Sequence, residues 1–205
     1  RRLLISPTAS GKSLMIYSIV RYHVERGQNT LIVVPTTSLV EQMYKDFADY
    51  GWDVGSYCHK IYAGRERETN SQVIITTWQS IYKLPRKYFE RFNVVVGDEA
   101  HQFKSKSLIS IMSKLADAKY RFGFTGTLDG TQTHKWVLEG LFGPSYKIIR
   151  TEELMAKGHV AKLDINVLLL KHPAHKFETF EDEVQYILGH ERRNKFIRNL
   201  SLDLK

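Results

Sequence analysis

The chain has 205 residues, 25% of them charged and 42% hydrophobic, a globular composition long enough for one sizeable core but short for two full α/β domains. Its single cysteine, Cys58, excludes an intrachain disulfide, no apolar run reaches the length of a membrane helix, and the N-terminus lacks a signal-peptide pattern, so a soluble, cytoplasmic protein is expected. The net charge of +8 is spread over both halves and invites a polyanionic partner without locating it.

In chain order, "RLLIS" is an apolar run that stops at Pro7 and reads as a buried strand. "KSLMIYSIVRYHVERG" then carries apolar residues at helical spacing up to Gly27. Between them lies "SPTASGKS", a phosphate-binding loop in outline, with Ser6 where the pattern G-x-x-x-x-G-K-[ST] has glycine. A loop that opens a helix presents free backbone N–H groups and the positive end of the helix dipole to an anion. Gly11 lets the backbone approach phosphates, Lys12 offers a point charge to the β- and γ-phosphates, and the Ser13 hydroxyl can ligate Mg²⁺.

Further on, "NTLIVVP" (29–35) reads as a strand, "SLVEQMYKDFADYG" (38–51) as a helix and "QVIITT" (72–77) as a strand. "FNVVVGDEAH" (92–101) is a strand ending in acids, followed by a helix in "SLISIMSKLADA" (107–118) and strands in "YRFGFTGT" (120–127) and "YKIIRT" (146–151). Continuous Val/Ile runs alternating with helices predict an α/β fold, a mostly parallel sheet with helices on both faces. In such sheets ligands gather beyond the carboxyl ends of the strands. Lys12, "PTT" (35–37), "TTWQS" (76–80), "DEAH" (98–101) and "TGT" (125–127) all fall at that edge.

Two adjacent carboxylates at the end of a buried strand repel each other unless a cation or hydrogen bonds absorb their charge. Asp98 suits a Mg²⁺ site completed by Ser13 and nucleotide phosphates, and Glu99 can orient or deprotonate an attacking water. The basic and aromatic stretch "KLPRKYFERF" (83–92) and "KSKS" (104–107) read as solvated surface rather than nucleic-acid contacts. His172, His175 and the other histidines form no recognisable ligand pattern.

"PTASGKS", "VVPTTSLVEQ", "TTWQS", "GDEAH" and "FTGT", in that order over residues 3–128, resemble motifs I, Ia, Ib, II and III of superfamily 2 helicases and translocases of the DEAH-box kind. The resemblance implies a first RecA-like motor domain over residues 1–160 that uses ATP and Mg²⁺ to move on nucleic acid. It assigns nucleotide binding to Thr8, Ala9, Ser10, Gly11, Lys12 and Ser13, catalysis to Lys12, Asp98 and Glu99, and metal to Ser13 and Asp98. His101, Thr125 and Thr127 would couple nucleotide state to motion. Pro35, Thr36, Thr37, Thr77 and Gln79 would hold the nucleic-acid backbone, with little sequence specificity. Trp78 reads as a core aromatic rather than a base-stacking one.

In that superfamily Ser6 is an ordinary start to the loop, whereas Ala9 replaces a frequent glycine and is harmless only at negative φ. Sequence flanking the motifs is similar to the recombination helicases of the superfamily, which implies branched DNA or R-loop substrates and DNA rather than RNA. A restriction-type translocase or an RNA helicase is the alternative. A GTPase would need N-K-x-D, which is absent, and a kinase would leave "DEAH" with "TGT" unexplained.

Residues 129–205 contain no match to the Q-x-x-G-R-x-x-R motif with which the second RecA-like domain meets the γ-phosphate. The segment upstream of the first strand that recognises adenine in that superfamily is likewise expected to be absent. The chain is therefore expected to be monomeric and nearly inactive alone. Residues 161–170 are expected to close the domain as a strand, "KHPAHKFETF" to be a linker, and "VQYILGHERRNKFIRNLSLDL" to be a helix leading to the second domain.

Overall fold

The computed structural model describes residues 1–62, 64, 69–126, 131–161, 167–171 and 175–203. The chain divides into two units, Arg1–Ala161 and Lys162–Lys205.

The first unit runs β1 (Arg2–Ile5), α1 (Lys12–Val24), β2 (Thr30–Val34), α2 (Thr37–Asp49), α3 (Val54–Tyr57), β3 (Cys58–Ile61) and β4 (Val73–Thr77). It continues with α4 (Trp78–Ile81), α5 (Arg86–Phe89), β5 (Val94–Gly97), a 3-10 turn (Ala100–Lys104), α6 (Lys106–Lys114), β6 (Tyr120–Thr125), α7 (Gln132–Phe142), β7 (Ser145–Lys147) and α8 (Thr151–Ala156). Among the described residues seven strands form one sheet in the order β3-β4-β2-β5-β6-β1-β7, each pair parallel. This is the RecA-like α/β arrangement.

Both faces are covered, so a strand such as β2 is buried at every position. Its alternation survives underneath: Ile32 and Val34 pack with Ile16 and Val20 of α1 and Val40, Met43 and Phe47 of α2, whereas Leu31 and Val33 belong to the opposite core with Phe89, Leu108, Ile111 and Phe142. Two glycines admit that second core. A Cβ at Gly97 would lie 2.7 Å from the Phe103 ring, and one at Gly123 would lie 2.9 Å from Phe142. The two phenyl rings meet edge to face at 5.0 Å.

The predicted strand over 146–151 is shorter than expected; β7 spans Ser145–Lys147, and Thr151 begins α8. Edge strand β3 escaped the sequence reading because "CHKI" has no apolar alternation. Of the closing strand expected over 161–170, residues 162–166 lie outside the described residues and 167–170 have no regular structure. The terminal helix is two helices, α9 (Phe180–Gly189) and α10 (Glu191–Asp203), broken at His190. Within this second unit the rings of His175 and Tyr186 stack at 5.5 Å. No helix among the described residues is long and apolar enough to cross a membrane.

Cys58, at the start of β3, is 5% exposed, and burial pushes its thiol up to about 12. Reactivity requires thiolate, so at pH 8 the folded protein should stay unlabelled by a disulfide reagent and take up one equivalent only in denaturant. Prompt labelling of the native chain would contradict the placement of β3.

Candidate functional site

The loop between β1 and α1 is braced from within. Ser6 is fully buried; its N–H donates to the Thr125 carbonyl at 2.8 Å, and its hydroxyl is hydrogen-bonded to that of Ser10. Ser10 in turn donates its hydroxyl to the Pro7 carbonyl at 2.5 Å and its N–H to the same carbonyl at 3.3 Å. Ser10 therefore serves the loop's own shape. A small residue at position 6 is required by this packing, which explains why serine can stand in the glycine position.

Two residues of the loop have left-handed backbones, Ala9 at φ 62° and Gly11 at φ 80°. Negative φ was the condition under which Ala9 would be harmless, and the structure does not meet it. An alanine there carries roughly 1–2 kcal/mol of steric strain. Gly11 caps α1, with no side-chain hydrogen bond to the first turn and nothing within 4 Å of where a Cβ would stand. That open space above a helix start fits an anion.

Lys12 reaches across from α1 to the end of β5. Its Nζ donates to Glu99 Oε1 at 2.7 Å and lies 3.2 Å from Asp98 Oδ1. Burial raises the pKa of Asp98 above the usual carboxylate value, with Lys12 drawing part of that rise back. Burial acts to lower that of Lys12, but the Asp98 and Glu99 carboxylates outweigh it and hold the ammonium more firmly charged. Glu99 sits in a left-handed conformation at φ 49°, with its N–H donating to Asp98 Oδ1 at 2.9 Å. This turn aims the two carboxylates at one ammonium. His101 extends the chain of contacts: its Nδ1 lies 3.4 Å from Glu99 Oε2 and 3.1 Å from Thr125 Oγ1. Thr127 lies outside the described residues.

A cleft of about 450 Å³ opens over these groups, within the range of small-molecule sites. Pro7, Thr8, Ala9, Gly11, Lys12 and Ser13 line one side, and Asp98 and Glu99 its floor. The other wall is Leu39, Gln42, Met43 and Asp46 of α2, which the sequence reading passed over. Their spacing places them on one helical face, the signal that could have revealed them. Ser13 Oγ is also 3.2 Å from Tyr50 Oη just beyond α2. The donor set, a hydroxyl at Ser13 and a buried carboxylate at Asp98 beside an ammonium, fits a hard cation carried with phosphate.

Pro35, Thr36, Thr37, Thr77 and Gln79 lie at the ends of β2 and β4, on the same edge but beyond β5 and β6 from the loop. Thr36, Thr37 and Gln79 are exposed and Pro35 is half-buried. Thr36 Oγ1 also caps α2 by accepting from Leu39 N–H at 3.3 Å. Thr77 is 4% exposed and hydrogen-bonds Ser80 at 2.9 Å, leaving its neighbours better placed to meet a ligand. Trp78 is half-buried against the core and Tyr82, as a structural aromatic would be.

Residues 1–130 match the family model described as type III restriction enzyme, res subunit. The chain is 35% identical over 214 residues to the ATP-dependent DNA helicase UvsW of Enterobacteria phage T4, an alignment covering 100% of this chain and 43% of that protein. The crystal structure of the UvsW helicase from bacteriophage T4 superposes with a TM-score of 0.66 at 35% identity, covering 72% of this chain and 54% of the other. The Hef helicase domain of Pyrococcus furiosus gives 0.61 at 20% identity, over 72% and 35%, a likeness of fold. The chain thus spans less than half the length of the T4 helicase. With the matched region embracing the loop, the acidic pair and β6, the chain belongs to the family of the type III restriction enzyme res subunit.

Proposed function

We propose that this chain is the first RecA-like motor domain of an ATP-dependent helicase or translocase acting on DNA, residues 1–160 being the nucleotide-binding domain and 161–205 leading to a second RecA-like domain. The observation that carries the reading is Lys12 held between Asp98 and Glu99 at the mouth of the phosphate loop. The similarity to a DNA helicase favours DNA over RNA, and the reading includes the role on branched or R-loop intermediates in recombination and repair that the motif-flanking sequence implies. A boundary between Ala161 and Lys162 supports the domain division.

Lys12 and the loop around Gly11 would bind the polyphosphate, and Ser13 and Asp98 would hold Mg²⁺, whose contribution there would be charge neutralisation on the phosphate oxygens. As Lys12 turns to phosphate, Glu99 keeps His101 as its neighbour and is released to accept a proton. Water oxygen then attacks the γ-phosphorus, the bond to the β-phosphate oxygen breaks, and the water's proton passes to Glu99. His101 and Thr125 join that carboxylate to β6, so loss of the phosphate is felt along the strand edge where Thr36, Thr37 and Gln79 would contact the nucleic-acid backbone. The arginine completing the transition state would come from the second domain.

Lys12→Ala should weaken Mg–ATP binding by about 10- to 100-fold in calorimetry, the loss of one or two charge-assisted contacts, and Glu99→Gln should leave binding intact while abolishing DNA-stimulated turnover in the full-length protein. Unchanged affinity in the lysine variant would remove the basis of the assignment. RNA-stimulated turnover in place of DNA-stimulated turnover would move the reading to an RNA helicase.

Asp98 has its folded pKa raised above the ordinary 3.8. Its favourable contribution to stability is therefore complete only below that value and is lost as pH rises through the folded pKa. At pH 7 Asp98→Asn should consequently melt no lower than wild type, while Mg²⁺-dependent nucleotide binding disappears. The Tm difference should shrink as pH falls through the carboxylate range. A variant that melts clearly lower at pH 7 contradicts this account.

Binding to duplex DNA should be backbone-directed, with log affinity falling against log salt by about 0.9 for each phosphate neutralised. Titrations from low to moderate salt would test this, and a flat profile excludes it.

A further inference from the structure

Ser13, Tyr17, Arg21 and Glu25 follow one another at intervals of four along α1 and its end, so they share one stripe of its surface. That stripe meets the end of α2. Arg21 Nε donates to Glu25 at 2.9 Å and its Nη1 to Tyr17 Oη at 3.1 Å, while Tyr17 Oη donates to the Tyr50 carbonyl at 3.5 Å. The Tyr17 ring packs 5.5 Å from Phe47, 5.2 Å from Tyr50 and 5.8 Å from Trp52. Phe47 and Trp52 are buried, so this stack is anchored in the core.

The backbone fixes Tyr50 as well. Its N–H donates to the Asp46 carbonyl at 2.9 Å, and Gly51, at φ 82°, turns the chain so that its own N–H reaches the Ala48 carbonyl at 2.9 Å and Trp52 N–H the Phe47 carbonyl at 3.2 Å. Held by ring and main chain alike, the Tyr50 hydroxyl ends 3.2 Å from Ser13 Oγ. Neither hydroxyl has another hydrogen-bond partner among the described residues.

Ser13 lines the cleft over Lys12 and Tyr50 does not, so Tyr50 meets the Ser13 hydroxyl from outside that cleft. A serine hydroxyl has one proton and two lone pairs. It ligates a cation through a lone pair, and its proton must then be directed to an acceptor on another side. Asp98 Oδ1 is engaged by Lys12 Nζ and the Glu99 N–H and makes no hydrogen bond with Ser13. Tyr50 Oη is the acceptor within reach.

We propose that Tyr50 is a positioning residue of the metal site: its hydroxyl accepts the Ser13 proton and thereby turns the Ser13 lone pairs to Mg²⁺. The inference rests on the nucleotide reading above and adds a residue, outside the phosphate loop, on which the hold on the metal depends. Outer partners of this kind orient the ligands they touch and tune metal affinity.

The test measures ATP binding to the full-length protein by calorimetry, in saturating Mg²⁺ and again in EDTA. Tyr50→Phe keeps the ring and its stack but removes the acceptor, so affinity in Mg²⁺ should fall about three- to tenfold, the worth of one neutral hydrogen bond, while affinity in EDTA stays unchanged. Ser13→Ala should lose at least as much in Mg²⁺, and adding Tyr50→Phe to it should cost nothing further, because the two act through one hydroxyl. A tyrosine that only packs would weaken ATP in both conditions or add its loss to that of Ser13→Ala. Either result, or a Tyr50→Phe variant that binds as wild type does, overturns the proposal while the Ser13→Ala loss upholds the metal site. If Ser13→Ala leaves Mg²⁺-dependent binding unchanged, the assignment of Ser13 to the metal fails and the role of Tyr50 with it.

Discussion

Everything at the working edge of this domain follows from one ammonium shared by two carboxylates. Asp98 and Glu99 are neighbours in sequence at the end of a buried strand, and without Lys12 the buried Asp98 carboxylate would lose its counter-ion where little water reaches it. Bringing Lys12 to them requires β1 and β5 to be held one strand apart, which the parallel register does: Leu3 lies opposite Gly123, and Gly123 opposite Gly97. The two glycines in that row let Phe103 and Phe142 press onto the sheet. The 3-10 turn and α7 are drawn down with them, and His101 is brought to within contact of both Glu99 and Thr125. Charge and close packing therefore meet at the same few residues.

Much of this was legible in the amino-acid order. Apolar runs ending in Ser6, Pro35, Thr77, Asp98 and Thr125 marked strand ends, and a parallel sheet places all of them on one edge. What stayed hidden has physical reasons. β3 gains its place from pairing with β4 rather than from its own pattern, since His59 and Lys60 interrupt the apolar positions. Spacing puts Leu39, Gln42, Met43 and Asp46 on one face of α2, but that this face looks onto the phosphate loop depends on how α1 and α2 lie together. In residues 83–92 the aromatics and cations are interleaved in sequence but separated in space: Phe89 and Phe92 are in the core, and Lys83, Arg86 and Lys87 face out. The aromatics there answer to packing, not to a polyanion.

Backbone strain is concentrated where the chemistry is. Ala9 and Glu99 are the non-glycine residues of positive φ among the described residues, and both line the cleft over Lys12. Strained conformations persist only where surrounding contacts over-determine them. For Glu99 those contacts are the hydrogen bond to Asp98 and the ion pair with Lys12; for Ala9 they are the braced serines to either side. A raised Asp98 pKa belongs to the same pattern, in which the site is less comfortable than the fold that carries it.

The pairing of β1 also dictates the order in which the molecule can assemble. β1 precedes every other strand of the sheet in sequence, yet its partners are β6, with Arg2 opposite Phe122, and β7, with Leu3 opposite Ser145. By contrast β2, β4 and β5 find one another within residues 30–97. Contacts so distant along the chain form late, because closing the intervening loop is entropically unfavourable until the rest is in place. On the ribosome, β1 would wait for more than a hundred further residues before it could enter the sheet. The phosphate loop, tied to β1 and to Thr125, would be among the last parts of the domain to take shape, so the nascent chain gains the ability to grip nucleotide only when the domain is otherwise complete.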